Sequence, residues 1–223
     1  MKNLALFDLD HTLIPIDSDY EWGQFLVRIG AVDPVQFKNA NDLFFEQYQA
    51  GALDPAEYLA FALGTLARFP RHELDAMHAQ FMREVVDPVM LPPARALLRR
   101  HVEAGDLVAI ITATNHFVTA PIAAAFGVGH LIAAKPEVDE RGHITGKLLG
   151  VPTSGEGKVT HLHAWLEQIG TPLGAFGRSY FYSDSQNDIP LLSVVTHPVA
   201  TNPNAALATH ATRLGWPSLH LFK

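Results

Sequence analysis

The chain has 223 residues, 48% hydrophobic and 17% charged, an ordinary globular composition long enough to bury a sizeable core without covalent staples. It has no cysteine, which excludes disulfides and thiolate metal sites, and its net charge of −7 argues against nucleic acid as the main partner. No apolar run approaches the ~20 residues needed to span a bilayer. The first strand begins almost at once, so no signal peptide and no membrane association are expected, and the expected location is cytoplasmic.

The first element is a buried strand over Leu4–Phe7, which runs straight into Asp8 and Asp10. Residues 18–86 read as four amphipathic helices with no strand. Trp22, Phe25, Leu26 and Ile29 follow helical spacing and stop at Gly30. Asp33–Pro34 and Asp54–Pro55 read as N-caps followed by proline at the first helical position, with Gly51 closing the helix between them. Ser18 and Glu21 fit a capping box for the first helix, and Asp19 suits its first turn. Leu74, Met77, Phe81 and Met82 mark the fourth helix.

From Pro92 the pattern alternates. A helix over Pro93–Ala104 precedes a strand at Leu107–Thr112, and a helix containing Pro121 follows Asn115. A short strand near Leu131–Ala134 leads to a hairpin turning at Arg141–Gly142. Then come a helix from Gly157 to Gln168, a strand at 180–182, a short helix from Asp188 and a strand near Pro198–Thr201. The expected fold is α/β: a Rossmann-like, doubly wound parallel sheet with an α-helical bundle cap inserted after the first strand. Residues 1–16 and 87–223 would form the core and residues 17–86 the cap.

Open α/β sheets build their sites at the carboxyl ends of the strands. Asp8 and Asp10 follow the first strand, Thr112, Thr114 and Asn115 the second, and "SDSQND", Ser183–Asp188, a third. Two carboxylates ~4 Å apart repel by roughly 4 kcal/mol at an effective dielectric near 20. Adding Asp184 and Asp188 makes a cluster that needs a cation, and oxygen ligands select a hard ion, Mg²⁺ or Ca²⁺. Mg²⁺ suits a few carboxylates completed by water and a substrate phosphate. Lys158, in "GEGK", would supply positive charge to that phosphate, and Thr112 a hydroxyl and a backbone donor. The stretch is no P-loop, because Pro152 stands where a glycine is required and Val159 where Ser or Thr is required.

"DLDHT" (Asp8, Asp10, Thr12), Thr112 after "AII", Lys158 at a helix start, and "SDSQND" (Asp184, Asp188) occur in that order. Together they resemble the four motifs of the haloacid dehalogenase superfamily, over all but the last ~35 residues. The helical insertion resembles that of the phosphoserine-phosphatase-like branch. The resemblance implies that Asp8 is the nucleophile and forms an aspartyl-phosphate, while Asp10 protonates the leaving oxygen and then activates water. It also implies that Asp8, the Asp10 carbonyl and Asp184 hold Mg²⁺ with support from Asp188, and that Thr112 and Lys158 neutralise phosphoryl oxygens. Asn187 resembles a phosphate-proximal asparagine of the branch. Two features depart from the phosphoserine enzymes: "TATN" replaces a glycine-rich serine motif, and Ser183 and Ser185 replace glycines beside Asp184.

The expectation is a Mg²⁺-dependent phosphomonoesterase for a small phosphorylated metabolite, of histidinol phosphate or phosphoserine type. A phosphotransferase or mutase, and a non-catalytic phosphate-binding protein on the same scaffold, are the competing readings. Asp17 lacks the capping role given to Ser18, and it falls where the phosphoserine phosphatases carry an acid near the substrate amine. It is therefore expected to bind a cationic substrate group, with Asp19 as a candidate second acid, alongside Asn115 and Asn187 as further substrate contacts.

Overall fold

The structure, a computed structural model, describes residues 2–50 and 52–222. Strand β1 (Leu4–Phe7) is completely buried and lies in the middle of a seven-stranded sheet of order β4-β3-β2-β1-β5-β6-β7. Its neighbours are β2 (Leu107–Asn115) and β5 (Ser179–Ser183), both parallel to it. Outside them lie β3 (Leu131–Val138) and β4 (Ile144–Leu149) on one side, and β6 (His197–Thr201) and β7 (Ser218–Leu219) on the other. Among the described residues the β3–β4 hairpin is the one antiparallel pairing, and Gly142 takes a positive φ in its turn, as the "RG" pair predicts.

A strand covered on both faces needs apolar residues at every position, which explains the unbroken "LALF". Leu4 and Leu6 join one cluster with Leu162 and Leu166 of α7 (Glu156–Gln168), Leu191 and Leu192 of α8 (Ile189–Val194), and Leu207 of α9 (Ala205–Leu214). Ala5 and Phe7 join the other with Leu97 and Leu98 of α5 (Pro92–Glu103) and Val118 and Ile122 of α6 (His116–Ala125). Consecutive side chains thus feed opposite layers, as the strand period requires.

Between β1 and α5 the chain forms α1 (Ser18–Arg28), α2 (Pro34–Gln49), α3 (Pro55–Leu66) and α4 (Arg71–Phe81). Helix α4 runs on through a π-helical turn, Met82–Val86, and a 3-10 turn, Asp87–Val89. Asp54 caps α3 through its side chain with Pro55 next, and Asp33 accepts the Val35 N–H, both as expected. Gly51 lies outside the described residues. Trp22, Phe25, Leu26, Leu74 and Phe81 belong to the same apolar cluster as Ala5 and Phe7, so α1 and α4 share the core of one sheet face. Among the described residues, no helix is long and apolar enough to cross a membrane.

Two sequence readings need correction here. Helix α1 is capped by Asp17, whose Oδ1 accepts the N–H groups of Asp19 and Tyr20 at 3.0 and 2.9 Å. The Ser18–Glu21 capping box does not form, and the Ser18 hydroxyl is buried without a partner among the described residues. The cause is Asp10: its Oδ1 takes the Ser18 N–H at 2.7 Å, and the helix starts one residue earlier than the box would start it. Strand β2 also continues to Asn115, past the expected end at Thr112, although its regular pairing with β3 breaks after Ile111.

Candidate active site

Register brings the strand ends level. Phe7 pairs with Ile110 on one side and Tyr182 on the other, so Asp8 emerges beside Ile111 and Ser183. Thr112 and Asp184 are the next residues on those neighbours. The carboxyl edge of three adjacent strands therefore forms the floor of a cavity of about 280 Å³. Asp8, Asp10, Asp17, Thr112, Lys158, Asn187 and Asp188 all line it.

Lys158 is 3% exposed and bridges two acids: its Nζ donates to Asp8 Oδ1 and to Asp188 Oδ2, both at 2.7 Å. Burial alone would lower its pKa, but Asp188 and Asp8 outweigh that and hold it above the ordinary lysine range. The glycines of "GEGK" explain its placement. Gly155 holds a positive φ, and a side chain on Gly157 would collide with the Pro152 carbonyl, so the loop packs tightly before α7 turns Lys158 inward. Asp188 precedes α8 but makes no side-chain cap; its Oδ2 also accepts the Ser183 hydroxyl at 2.7 Å.

Asp8 is pushed up by burial, which Lys158 opposes and Asp188 and Asp10 reinforce. The Thr12 hydroxyl stands 3.4 Å from Asp8 Oδ2 and 3.3 Å from Asp184 Oδ1, and it accepts the Asp184 N–H at 3.0 Å. Its one proton serves one carboxylate at a time. Asp184 is raised well above an ordinary carboxylate by burial and by the charges of Asp8 and Asp188. Asp10 turns away from Asp8, toward Ser18 N and the Thr114 hydroxyl, 2.9 Å from Oδ2. Burial and the charge of Asp17 raise Asp10 to about 6.

Among the described residues, no three acidic or histidine side chains close on one point as a finished metal cage. The donors nevertheless fit Mg²⁺. Two buried carboxylates on adjacent strand ends share one hydroxyl, Asp184 makes no ion pair among the described residues, and the cavity leaves room for water and phosphate oxygens.

Asn115 is not in the cavity wall. It is 1% exposed, its Oδ1 caps α6 by accepting the Val118 N–H, and its Nδ2 donates to Asp19 Oδ1 at 3.1 Å. The expectation that it touches substrate is corrected: it holds Asp19. Asp17 lines the cavity, but it is also the cap of α1, so the premise that it lacked a structural task fails. Thr114 and Ser183, named in the sequence only as strand-end residues, orient acids, while Tyr20, Phe44, Phe45 and Tyr58, which the sequence reading did not single out, form an aromatic wall from α1, α2 and α3. Nothing in the spacing of these aromatic residues separates bundle core from cavity wall.

The mostly parallel sheet, with acids at its central strand ends, defines a Rossmann-like α/β fold whose candidate site lies at the carboxyl edge of the strands. The haloacid dehalogenase-like hydrolase family model matches residues 5–193, and the chain belongs to that family. It is 44% identical to histidinol-phosphatase of Neisseria meningitidis serogroup C (strain 8013), over 99% of each chain. A solved structure of a protein with unknown function from Bordetella pertussis Tohama I superposes with a TM-score of 0.95 at 49% identity, covering 100% of both chains. A substrate-bound phosphoserine phosphatase superposes with a TM-score of 0.69 at 17% identity, covering 98% of this chain and 93% of that one, a likeness of fold.

Proposed function

We propose that this haloacid dehalogenase-like phosphatase is a Mg²⁺-dependent phosphomonoesterase that forms an aspartyl-phosphate on Asp8 and acts on histidinol phosphate or a close relative. The observation that carries the reading is the position of Asp8. It lies on the cavity floor with one oxygen on Lys158 and the other near the Thr12 hydroxyl shared with Asp184. Residues 17–86 serve as a cap whose helices supply the wall around the leaving group.

The Asp8 carboxylate attacks phosphorus, and the ester P–O bond breaks. Asp10 gives its proton to the departing alkoxide; burial and the charge of Asp17, which raise its pKa to about 6, fit it for this step. Asp10 then takes a proton from water, which attacks the aspartyl-phosphate and releases phosphate and free Asp8. Lys158 and Thr112 balance charge on the phosphoryl oxygens. Asp8, the Asp10 carbonyl and Asp184 would hold Mg²⁺, with Asp188 supporting them through Lys158, and the ion would neutralise the transferring group. Asn187 is the further phosphate contact.

Two features support the substrate. The Neisseria relative is a histidinol-phosphatase. Among the described residues, Lys158 is the one basic side chain lining the cavity, so nothing there is arranged to clamp a substrate carboxylate. The test is phosphate release from p-nitrophenyl phosphate and histidinol phosphate. Chelation should abolish it, Mg²⁺ restore it and Ca²⁺ restore it poorly. Asp8→Asn should remove turnover, and Asp10→Asn should cost about 10²–10⁴ in rate. Near-wild-type release by Asp8→Asn would sink the covalent mechanism, and transfer to added alcohols in preference to water would make the protein a phosphotransferase.

A further inference from the structure

A second cavity, of about 520 Å³, lies between α4, α6 and the β3–β4 hairpin and shares no lining residue with the active-site cavity. Its size is that of a small-molecule pocket. Met82, Phe117, Pro121 and Ile144 give it an apolar body. Three basic side chains from three elements also line it: Arg71 of α4, His116 of α6 and Lys135 of β3. Asp75 is the one acid in its wall among the described residues.

The pairing of these cations is incomplete. The chain has 23 acidic residues against 16 lysines and arginines, so a basic side chain has an excess of acids to meet. Lys135 nonetheless makes no ion pair or hydrogen bond among the described residues, and Glu137, the nearest acid along β3, accepts the Thr145 hydroxyl at 2.6 Å instead. Arg71 gives only its Nε, to Asp75 Oδ1 at 2.8 Å, while its Cζ lies 5.6 Å from the centre of the Phe117 ring. The ring and Asp75 hold the guanidinium in place, and its two Nη groups keep their protons for another acceptor. His116 is half-buried and makes no hydrogen bond among the described residues. Burial, then the charges of Lys135 and Arg71, push its pKa below the ordinary histidine range. His78, the other histidine in the wall, is already engaged: its Nε2 donates to the Val118 carbonyl at 2.8 Å.

We propose that this cavity binds a small organic monocarboxylate with an apolar ring, its carboxylate meeting Arg71, Lys135 and His116 and its ring lying on Phe117 and Pro121. Charge decides the class. With His116 neutral, Arg71 and Lys135 against Asp75 leave one net positive charge, which one carboxylate balances. A phosphate dianion would exceed that charge and meet Asp75, and a neutral ring compound would leave the cations facing one another. The fork of Arg71 suits the two oxygens of a carboxylate. The site is independent of the phosphatase reading, and its test needs no turnover.

The probe is 3-phenylpropanoate, titrated into the full chain. The controls are 3-phenylpropanamide, which keeps the ring and loses the charge, and acetate, which keeps the charge and loses the ring. The readout is the NMR signal of the His116 ring protons, assigned by its loss in His116→Gln. The probe should shift that signal saturably, with a Kd of about 1 mM or below, and should raise the pKa of His116, because a bound anion favours the imidazolium. Both controls should bind at least about 10-fold more weakly. Arg71→Gln and Lys135→Gln should each weaken the probe about 10-fold, the usual effect of losing a charged hydrogen-bond partner.

Equal affinity for the acid and the amide overturns the proposal, since charge would then play no part. So does an unchanged affinity in Lys135→Gln, whose exposed side chain can be replaced without disturbing the core. Should Arg71→Gln, at the start of α4, fail to fold, Lys135→Gln decides alone. Displacement of the probe by inorganic phosphate, or no saturable shift up to about 10 mM, overturns the proposal as well.

Discussion

At Asp19, burial and charge oppose each other, and the balance is measurable. Burial, then the charge of Asp17, raise its pKa to about 8; Tyr58 and Asn115 lower it, and Asp10 adds to the rise. The sign follows from linkage. The unfolded carboxyl titrates near 3.8 and the folded one near 8. Its contribution to stability is therefore fully present below the unfolded value and is lost as pH rises through 8. Asp19→Asn removes that loss. Measured with a chelator present, the variant's Tm relative to wild type should climb between pH 5 and pH 8.5, with a gain on the order of 1–3 kcal/mol, or several degrees. A difference that stays flat with pH would show that Asp19 is ionised in the folded protein throughout. At this scale the sequence was half legible. Asp8, Asp10, Lys158, Asp184 and Asp188 were readable because each follows a strand or opens a helix. The Asn115–Asp19 bond was not, since its partners are separated by 96 positions and each has a plausible local role.

Elements decide where those residues stand, and the loop into α7 is the most demanding. Gly157 has no room for a side chain against the Pro152 carbonyl, whereas Gly174, in the 3-10 turn Leu173–Ala175, faces open space. Gly157→Ala should therefore cost about 1–3 kcal/mol in urea unfolding, as overpacking does, and should cut activity further by displacing Lys158. Gly174→Ala should stay within about 0.5 kcal/mol of wild type. Equal, small effects would mean that the loop yields and that Gly157 does not set the Lys158 position. Most element boundaries were legible from apolar period and Gly or Pro punctuation. The start of α1 was misread because a distant carboxylate, Asp10, outcompeted a local capping pattern for the Ser18 N–H. Strand β2 overran its expected end for a similar reason. Thr114 and Asn115 are polar, which reads as loop, yet both are buried because Asp10 and Asp19 supply their partners.

Across the whole molecule, the chain brings its carboxylates together at the sheet end while carrying a net charge of −7. The final residues contribute to this although they carry none of the motifs. Asn202, itself at positive φ, donates to the His11 carbonyl at 2.9 Å and accepts the Leu221 N–H at 2.7 Å. It thereby ties the C-terminal segment to the loop between Asp10 and Thr12, where His11 also takes a positive φ. The loop is thus braced from behind, while in front of it burial and then the charges of Asp8 and Asp188 raise the pKa of Asp184, and burial with the charges of Asp188 and Asp10 raises that of Asp8. A cation that binds the folded site and not the unfolded chain relieves that repulsion and stabilises the whole fold by mass action. At about 100 times its dissociation constant, Mg²⁺ should add roughly 2.7 kcal/mol, a rise in Tm of about 5–10 °C for a chain of this size. Asp184→Asn, which removes a carboxylate from the proposed ion site and with it part of the repulsion, should begin with a higher Tm than chelated wild type and respond less to Mg²⁺. The comparison is a thermal melt of both proteins with chelator, with Mg²⁺, and with NaCl at matched ionic strength. A Mg²⁺ shift in wild type no larger than that of NaCl would reduce the effect to screening of surface charge and would remove Asp184 from the metal site.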